Sequence, residues 1–242
     1  MHKHEKNIGQ IGESALKVKH FLKRYLLLIL MAALITVTST VNKQSFLQTL
    51  PTLISLVVQL LLVTADRRAF LLGGLNAILY AVSYSVDGVY FSAISALLIS
   101  SPIQLFSFFH WKKNSEGKTV HLTLLGARWL AGTVLLILLG WAGVYFGLAR
   151  FFADATLPLL DTLIFTLGIA VTLLSAFRFV ESQYISLVSC MLTLALWCII
   201  SAQSPASLNY VIISVYNLYR VIQATVHWTA QYRASKVADA QA

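Results

Sequence analysis

Long apolar runs broken by short polar stretches repeat along the chain. Eight runs stand out, at residues 25–41, 50–65, 69–86, 89–110, 123–148, 157–177, 184–201 and 206–228. A spanning helix needs roughly 17–25 predominantly apolar residues, so most of these are long enough and the first two sit near the lower limit. Hydrocarbon offers no water to backbone groups, so each run is expected to be a helix that satisfies its own N–H and C=O groups. Alternation of apolar and polar residues at period two is absent, which argues against a membrane barrel. The pattern predicts an all-α integral membrane protein with eight transmembrane helices.

Composition narrows the picture further. Of 242 residues, 58% are hydrophobic and only 11% are charged, with a mean hydropathy of +0.76. Soluble domains average about 25% charged residues, so a soluble globule, a disordered chain and a secreted disulfide scaffold are all poor fits. Eight spans leave no room for a separate soluble catalytic domain. The two cysteines, Cys190 and Cys198, share one run and read as small packing residues.

The net charge of +9 gains meaning from where the basic residues lie. With the amino-terminus in the cytoplasm, the inner segments hold Lys3, Lys6, Lys17, Lys19, Lys23, Arg24, Arg67, Arg68, Lys112, Lys113, Lys118, Arg128, Arg178, Arg233 and Lys236, which is 15. The outer segments hold Lys43 and Arg150, which is 2; Arg220 lies inside the last run. This asymmetry follows the positive-inside rule and predicts both termini in the cytoplasm. It assigns the basic residues to an anionic leaflet rather than to nucleic acid. A basic stretch before residues 25–41 has the order of a signal peptide, but no small-x-small site follows, so the run is read as a retained helix.

An internal repeat is also visible. A shift of 117 residues carries His110-Trp111 onto His227-Trp228 and the stretch 75–80 onto 192–197. Upstream the offset shrinks: Leu50-Pro51 matches Leu157-Pro158, and Thr64-Ala65-Asp66-Arg67 resembles Ser175-Ala176-Phe177-Arg178. The expected organisation is a basic tail (1–24), an extra amino-terminal helix (25–41), a three-helix repeat (50–110), a linker helix (123–148), a second three-helix repeat (157–228) and a short tail (229–242). The odd unit would invert without the linker helix, which restores a parallel orientation. Parallel repeats of this kind are a known transporter plan, with the site between the halves near the midplane.

Polar residues within spans face a bundle interior or a water-filled cavity. At helical spacing, one stripe carries Asn76, Tyr80, Tyr84 and Asp87; another carries Gln104, Phe108 and Trp111. A third holds Ser186, Ser189, Thr193 and Trp197, a fourth Ser207, Tyr210, Ser214 and Asn217, and Gln59 lies on the second run. Serine and threonine often serve only close packing. The amides have four hydrogen-bonding positions to satisfy, so for Gln59, Asn76, Gln104 and Asn217 both a solute contact and an interhelical bond stay open. The candidate solute site is therefore Gln59, Asn76, Tyr80, Tyr84, Gln104, Phe108, Trp111, Thr193, Trp197 and Asn217. Such a lining suits a neutral or singly cationic, ring-containing, hydroxylated solute. Asp87 reads as solvated near the outer end. Arg220 either snorkels or pairs with Glu181.

Several chemistries lack their residues. There is no phosphate-loop motif and no zincin motif, so neither an ATPase nor a metalloprotease is expected. His2 and His4 form only a tail pair. Asp161 is the one carboxylate well within a run, about a turn from its outer end, whereas a proton or sodium relay needs a deeper group. The balance predicts a passive uniporter without catalytic residues, metal or cofactor.

The stretch Asn76-Ala77-Ile78-Leu79-Tyr80, followed by Pro102-Ile103-Gln104 and the run to Trp111-Lys112-Lys113, resembles the PnuC family. That family shows N-A-x-x-Y and then P-x-Q-x-x-G-W-x-x-W. Leu160-Asp161, Arg178-x-x-Glu181 and Trp228 continue the likeness, which covers about 50–232. The resemblance implies a three-plus-one-plus-three fold like that of full-length SWEET transporters. It also implies carriage of nicotinamide riboside across the bacterial inner membrane, followed by phosphorylation inside the cell, and a possible trimer. Two motifs depart. The family's G-W pair is Ser107-Phe108 here, and its sixth-helix W-x-x-W-x-x-x-N/D positions hold Gln183, Ser186 and Cys190, so those ligand roles do not transfer. The expectation is a bilayer-embedded uniporter for an unphosphorylated vitamin precursor. Thiamine, riboflavin or a nucleoside stand as alternative cargoes, and a non-transporting membrane scaffold as the alternative of another class.

Overall fold

The computed structural model describes residues 25–113, 115–116, 119–120, 122–147, 151–152 and 155–241. The expected tail at 1–24, with its basic residues and His2 and His4, lies outside them, as do Lys118 and Arg150. The helices are α1 (Tyr25–Val41), α2 (Phe46–Val63), α3 (Arg68–Val86), α4 (Tyr90–Ile94), α5 (Ser101–Lys113), α6 (Ala127–Gly147), α7 (Pro158–Ala176), α8 (Glu181–Gln203) and α9 (Leu208–Gln241). A π-helical turn, Ser95–Ser100, joins α4 to α5 in one continuous rod. Besides helices there is a two-residue hairpin, Ser115–Glu116 with Thr119–Val120, and an isolated bridge between Thr123 and Phe179.

Among the described residues six helices are long and apolar enough to cross a membrane: α2, α3, the rod Tyr90–Lys112, α6, α7 and α8. The protein is a multi-pass membrane protein. The other two expected spans fall short by this measure. The apolar helix α1 is a shorter one, and α9 carries Asn209, Asn217, Arg220 and Gln223 among its apolar residues.

Local chemistry explains where helices begin and break. α2 starts four residues before the expected 50, because Ser45 and Gln48 form a reciprocal capping box. Pro51 therefore lies inside α2 rather than at its start. Proline cannot donate to the carbonyl four residues back. The Leu47 carbonyl instead accepts the Ser83 hydroxyl of α3 at 3.1 Å. Pro102 similarly interrupts the ladder just after the π turn. The linker span begins at Ala127, not 123, because Thr123 bonds the α7–α8 turn: its N–H donates to Arg178 O at 3.1 Å and its carbonyl accepts Val180 N–H at 3.0 Å. α9 runs on past the expected 228 to Gln241.

α2 and α7 end alike. After α2, Asp66 N–H bonds Leu61 O and Ala65 N–H bonds Leu62 O, with Ala65 at φ 51°. After α7, Phe179 N–H bonds Leu174 O and Arg178 N–H bonds Ser175 O, with Arg178 at φ 67°. Both are the paired bonds of a Schellman ending around a left-handed residue.

Six rods close a ring: α2 packs on α3, α3 on α5, α5 on α7, α7 on α8, α8 on α9, and α9 back on α2. α6 packs on the outside of α7, and Ile35 of α1 packs into the core with Leu56 and Tyr216. One end of the ring carries Arg67, Lys112 and Arg178 and is called the basic end below. The other carries Asp87 and Asp161 and is called the acidic end.

Candidate functional site

The ring surrounds a partly open cavity of about 350 Å³, within the range of small-molecule sites. Every helix of the ring and the π turn contribute to its wall. Among the described residues no Asp, Glu, Lys, Arg or His lines it. The π turn presents Ser95, Ala96 and Ser100 to it; π insertions often mark functional sites because they turn side chains that a straight helix would hide.

Eight of the ten candidate residues line this cavity: Gln59, Asn76, Tyr80, Tyr84, Gln104, Thr193, Trp197 and Asn217. Phe108 and Trp111 do not. They sit in an apolar cluster at the basic end with Ala65, Phe70 and Trp228. They share a helical face with Gln104, but one and two turns further along, where the helices have converged and the cavity has ended.

The four amides divide. Asn76 is buried, and its Nδ2 donates to Pro51 O at 3.0 Å and to Ser55 Oγ at 2.9 Å. Ser55 Oγ in turn donates to the Tyr80 hydroxyl at 3.0 Å. Asn76 is thus an α2–α3 bond whose Oδ1 stays unpaired. Gln59, Gln104 and Asn217 make no side-chain hydrogen bond among the described residues. These three are available to a solute. Thr193 donates to Ser189 O within its own helix at 2.8 Å.

Gln104 owes its position to a glycine. A Cβ on Gly73 would lie 2.0 Å from Gln104 Oε1. Gln104→Ala is expected to raise the solute dissociation constant several-fold without changing thermal unfolding, the size of one lost hydrogen bond. Gly73→Ala should reproduce that loss by pushing the amide aside. Both quantities are read on the same purified variants. Reduced stability with unchanged affinity would remove Gln104 from the site.

Towards the acidic end the wall becomes aromatic. Tyr80 stacks on Tyr84 with ring centroids 5.0 Å apart, Tyr84 meets Trp197 at 5.6 Å, and Trp197 stacks on Tyr210 at 4.2 Å. The Tyr210 position was visible only as one member of a polar stripe; its stacking depends on α8 and α9 being adjacent.

The carboxylates are not solvated groups. Asp161 is fully buried and accepts Phe91 N–H at 2.9 Å, Ser92 N–H at 3.1 Å and the Ser92 hydroxyl. It caps the N-terminus of α4 from the neighbouring rod α7, so a structural bond consumes it. Asp87, expected in water, is half-buried just past the end of α3, and burial, opposed in part by the nearby Tyr210 hydroxyl, raises its pKa to about 6. A carboxyl whose pKa is raised on folding holds its proton longer folded than unfolded, so stability is lost as pH rises. Thermal unfolding of the wild type should therefore fall between about pH 4 and 6.5 relative to Asp87→Asn. Parallel curves for the two proteins would show that Asp87 is not buried.

Arg220 neither snorkels nor pairs with Glu181. It is buried over the Tyr216 ring, 4.9 Å from its centroid, and donates to Gln223 Oε1 at 2.9 Å. Glu181 Oε1 accepts Leu125 N–H at 2.8 Å. The aromatic face supplies the attraction that a carboxylate would. Among the described residues no cluster of potential metal ligands occurs.

Comparison with known proteins gives two matches of consequence. The family profile described as "Nicotinamide mononucleotide transporter" matches residues 45–230. A crystal structure described as that of "the Vitamin B3 transporter PnuC" is similar with a TM-score of 0.75 at 21% sequence identity, over 87% of this chain and 92% of that one. At that identity the likeness shows a shared fold. No curated protein matches.

Proposed function

The chain belongs to the nicotinamide mononucleotide transporter family and is a membrane transporter rather than an enzyme; we propose that its cargo is an unphosphorylated, ring-containing vitamin precursor, with nicotinamide riboside first. The observation that carries this reading is the uncharged lining. A phosphate brings negative charge that must be paired when it leaves water. Among the described residues nothing in the cavity wall supplies a cation. The free amides of Gln59, Gln104 and Asn217 suit hydroxyl and carboxamide groups. The aromatic wall of Tyr84, Trp197 and Tyr210 suits a flat, cationic ring.

Ser186 favours a second reading. It lines the cavity at a position where the family pattern carries tryptophan. A smaller side chain widens that wall and admits a larger ring system, such as a flavin or a thiamine.

Transport would be facilitated diffusion across the cell inner membrane. Among the described residues no carboxylate faces the cavity, and Asp161 is committed to capping α4. Both termini would be cytoplasmic, with eight spans: an extra amino-terminal helix followed by a three-plus-one-plus-three core. The matched Schellman endings of α2 and α7 and the closed six-rod ring support the repeat. Reporter fusions at the two ends test the sidedness; ends on opposite faces would refute the span count.

The deciding experiment is uptake into proteoliposomes of nicotinamide riboside, its mononucleotide, thiamine and riboflavin, with and without proton and sodium gradients. Saturable, gradient-independent uptake of the riboside supports the first reading. Preferential thiamine or riboflavin uptake selects the second. Uptake of none of the four would favour a scaffold.

A further inference from the structure

Two tryptophans sit at the end of the cavity and bond across the two seams between the halves in mirror fashion. Trp111, on the last turns of α5, donates its Nε1–H to Ser175 O at 3.1 Å. Trp228, on α9, donates its Nε1–H to Leu62 O at 3.2 Å. Each crosses from the third rod of one half to the first rod of the other. The accepting carbonyls are equivalent, since each is the one that also accepts the left-handed residue of its Schellman ending, Arg178 or Ala65. A carbonyl at a helix end has a lone pair to spare, which makes it a ready acceptor for a side chain from a neighbour.

Both tryptophans are fully buried, and their ring centroids lie 5.6 Å apart. Phe70 meets Trp111 edge-on at 4.6 Å. Leu62, Phe70 and Ser175 are themselves cavity-wall residues. The pair therefore stands directly behind that wall, between the cavity and the basic end. Ser107 and Ala224, one turn before each tryptophan, are small and buried, which leaves room for the rings to meet.

We propose that Trp111 and Trp228 form a reciprocal latch that closes the basic end of the cavity, and that breaking its two hydrogen bonds between the halves is the step that opens the cavity on that side. The inference rests on the transporter reading but not on any particular cargo. The halves of a parallel-repeat carrier rock against each other around a fixed site. The α5–α7 and α9–α2 contacts are the seams that such a motion must loosen. The latch pins both seams at one end, at equivalent points, so opening there costs both bonds together.

The test is solute-free labelling. A single cysteine replaces Thr172, one turn from Ser175 on the cavity wall, in a background with Cys190→Ala and Cys198→Ala. A membrane-impermeant maleimide is added to sealed vesicles from the basic side. Trp111→Phe and Trp228→Phe keep an aromatic ring and remove the N–H. Each should raise the labelling rate about two- to tenfold, and the double variant by about the product. Phe70→Leu loosens the packing around Trp111 with both hydrogen bonds intact, and serves if a tryptophan variant does not fold. It should raise labelling by a smaller factor. Labelling at the parental rate in the folded variants, including any that melt earlier in detergent, would overturn the latch and leave the tryptophans as packing. Because no solute is present, failure of the nicotinamide riboside reading leaves this result unaffected.

Discussion

A phosphorylated form of the cargo should bind at least about a thousandfold more weakly than the unphosphorylated form. Moving an ionised group into a cavity without a partner costs several kcal/mol after relaxation and water penetration, and each 1.4 kcal/mol is about a factor of ten in affinity. Among the described residues the wall offers hydroxyls, amides and aromatic faces and no Lys, Arg or His. The buried cation on α9, Arg220, is engaged with Tyr216 and Gln223 and is not part of the wall. Calorimetric titration of the purified protein with nicotinamide riboside and with its mononucleotide measures the difference. Equal affinities would mean that the cavity as described is not the binding site. A gap that narrows as pH falls through about 6, where the phosphate dianion becomes a monoanion, would be the expected signature of charge exclusion.

Asn76→Ala should lose both stability and affinity, in contrast to Gln104→Ala, which should lose affinity alone. The Asn76 amide makes two bonds that tie α3 to α2, one to the Pro51 carbonyl and one to Ser55. Each neutral hydrogen bond contributes about 0.5–1.5 kcal/mol net, so removing both should cost about 1–3 kcal/mol. Ser55 orients the Tyr80 hydroxyl, so a cavity wall residue shifts as well, and affinity should fall about tenfold. Asn76→Asp should be worse than Asn76→Ala, because it replaces the donor with a charge facing a carbonyl oxygen in a buried site. Thermal unfolding and affinity measured together on the three variants settle the assignment. A fully stable Asn76→Ala protein would remove Asn76 as an interhelical bond.

The apolar runs of the chain were enough to establish a helical membrane protein, because lipid leaves a long apolar segment no other way to satisfy its backbone. The stripe Asn76, Tyr80, Tyr84 and the amide Gln104 could likewise be read from helical spacing, which determines the face on which a residue lies. Spacing does not say what stands opposite that face. Asn76 and Gln104 are both amides on wall-facing stripes, yet one is consumed by the Pro51 carbonyl and the other is free. Only the position of α2 against α3 separates them. Depth along the ring was also invisible: Phe108 and Trp111 share the face of Gln104, but the helices close in below Phe70 and turn that part of the stripe into a plug. Asp161 reads along the chain as a carboxylate near a span end. Its partners Phe91 and Ser92 are about seventy residues away, so its capping role exists only once α4 and α7 meet. Local sequence determined which segments are helices and which way their polar faces point; the convergence of six rods decided which of those faces line a cavity, which seal it and which hold the ring together.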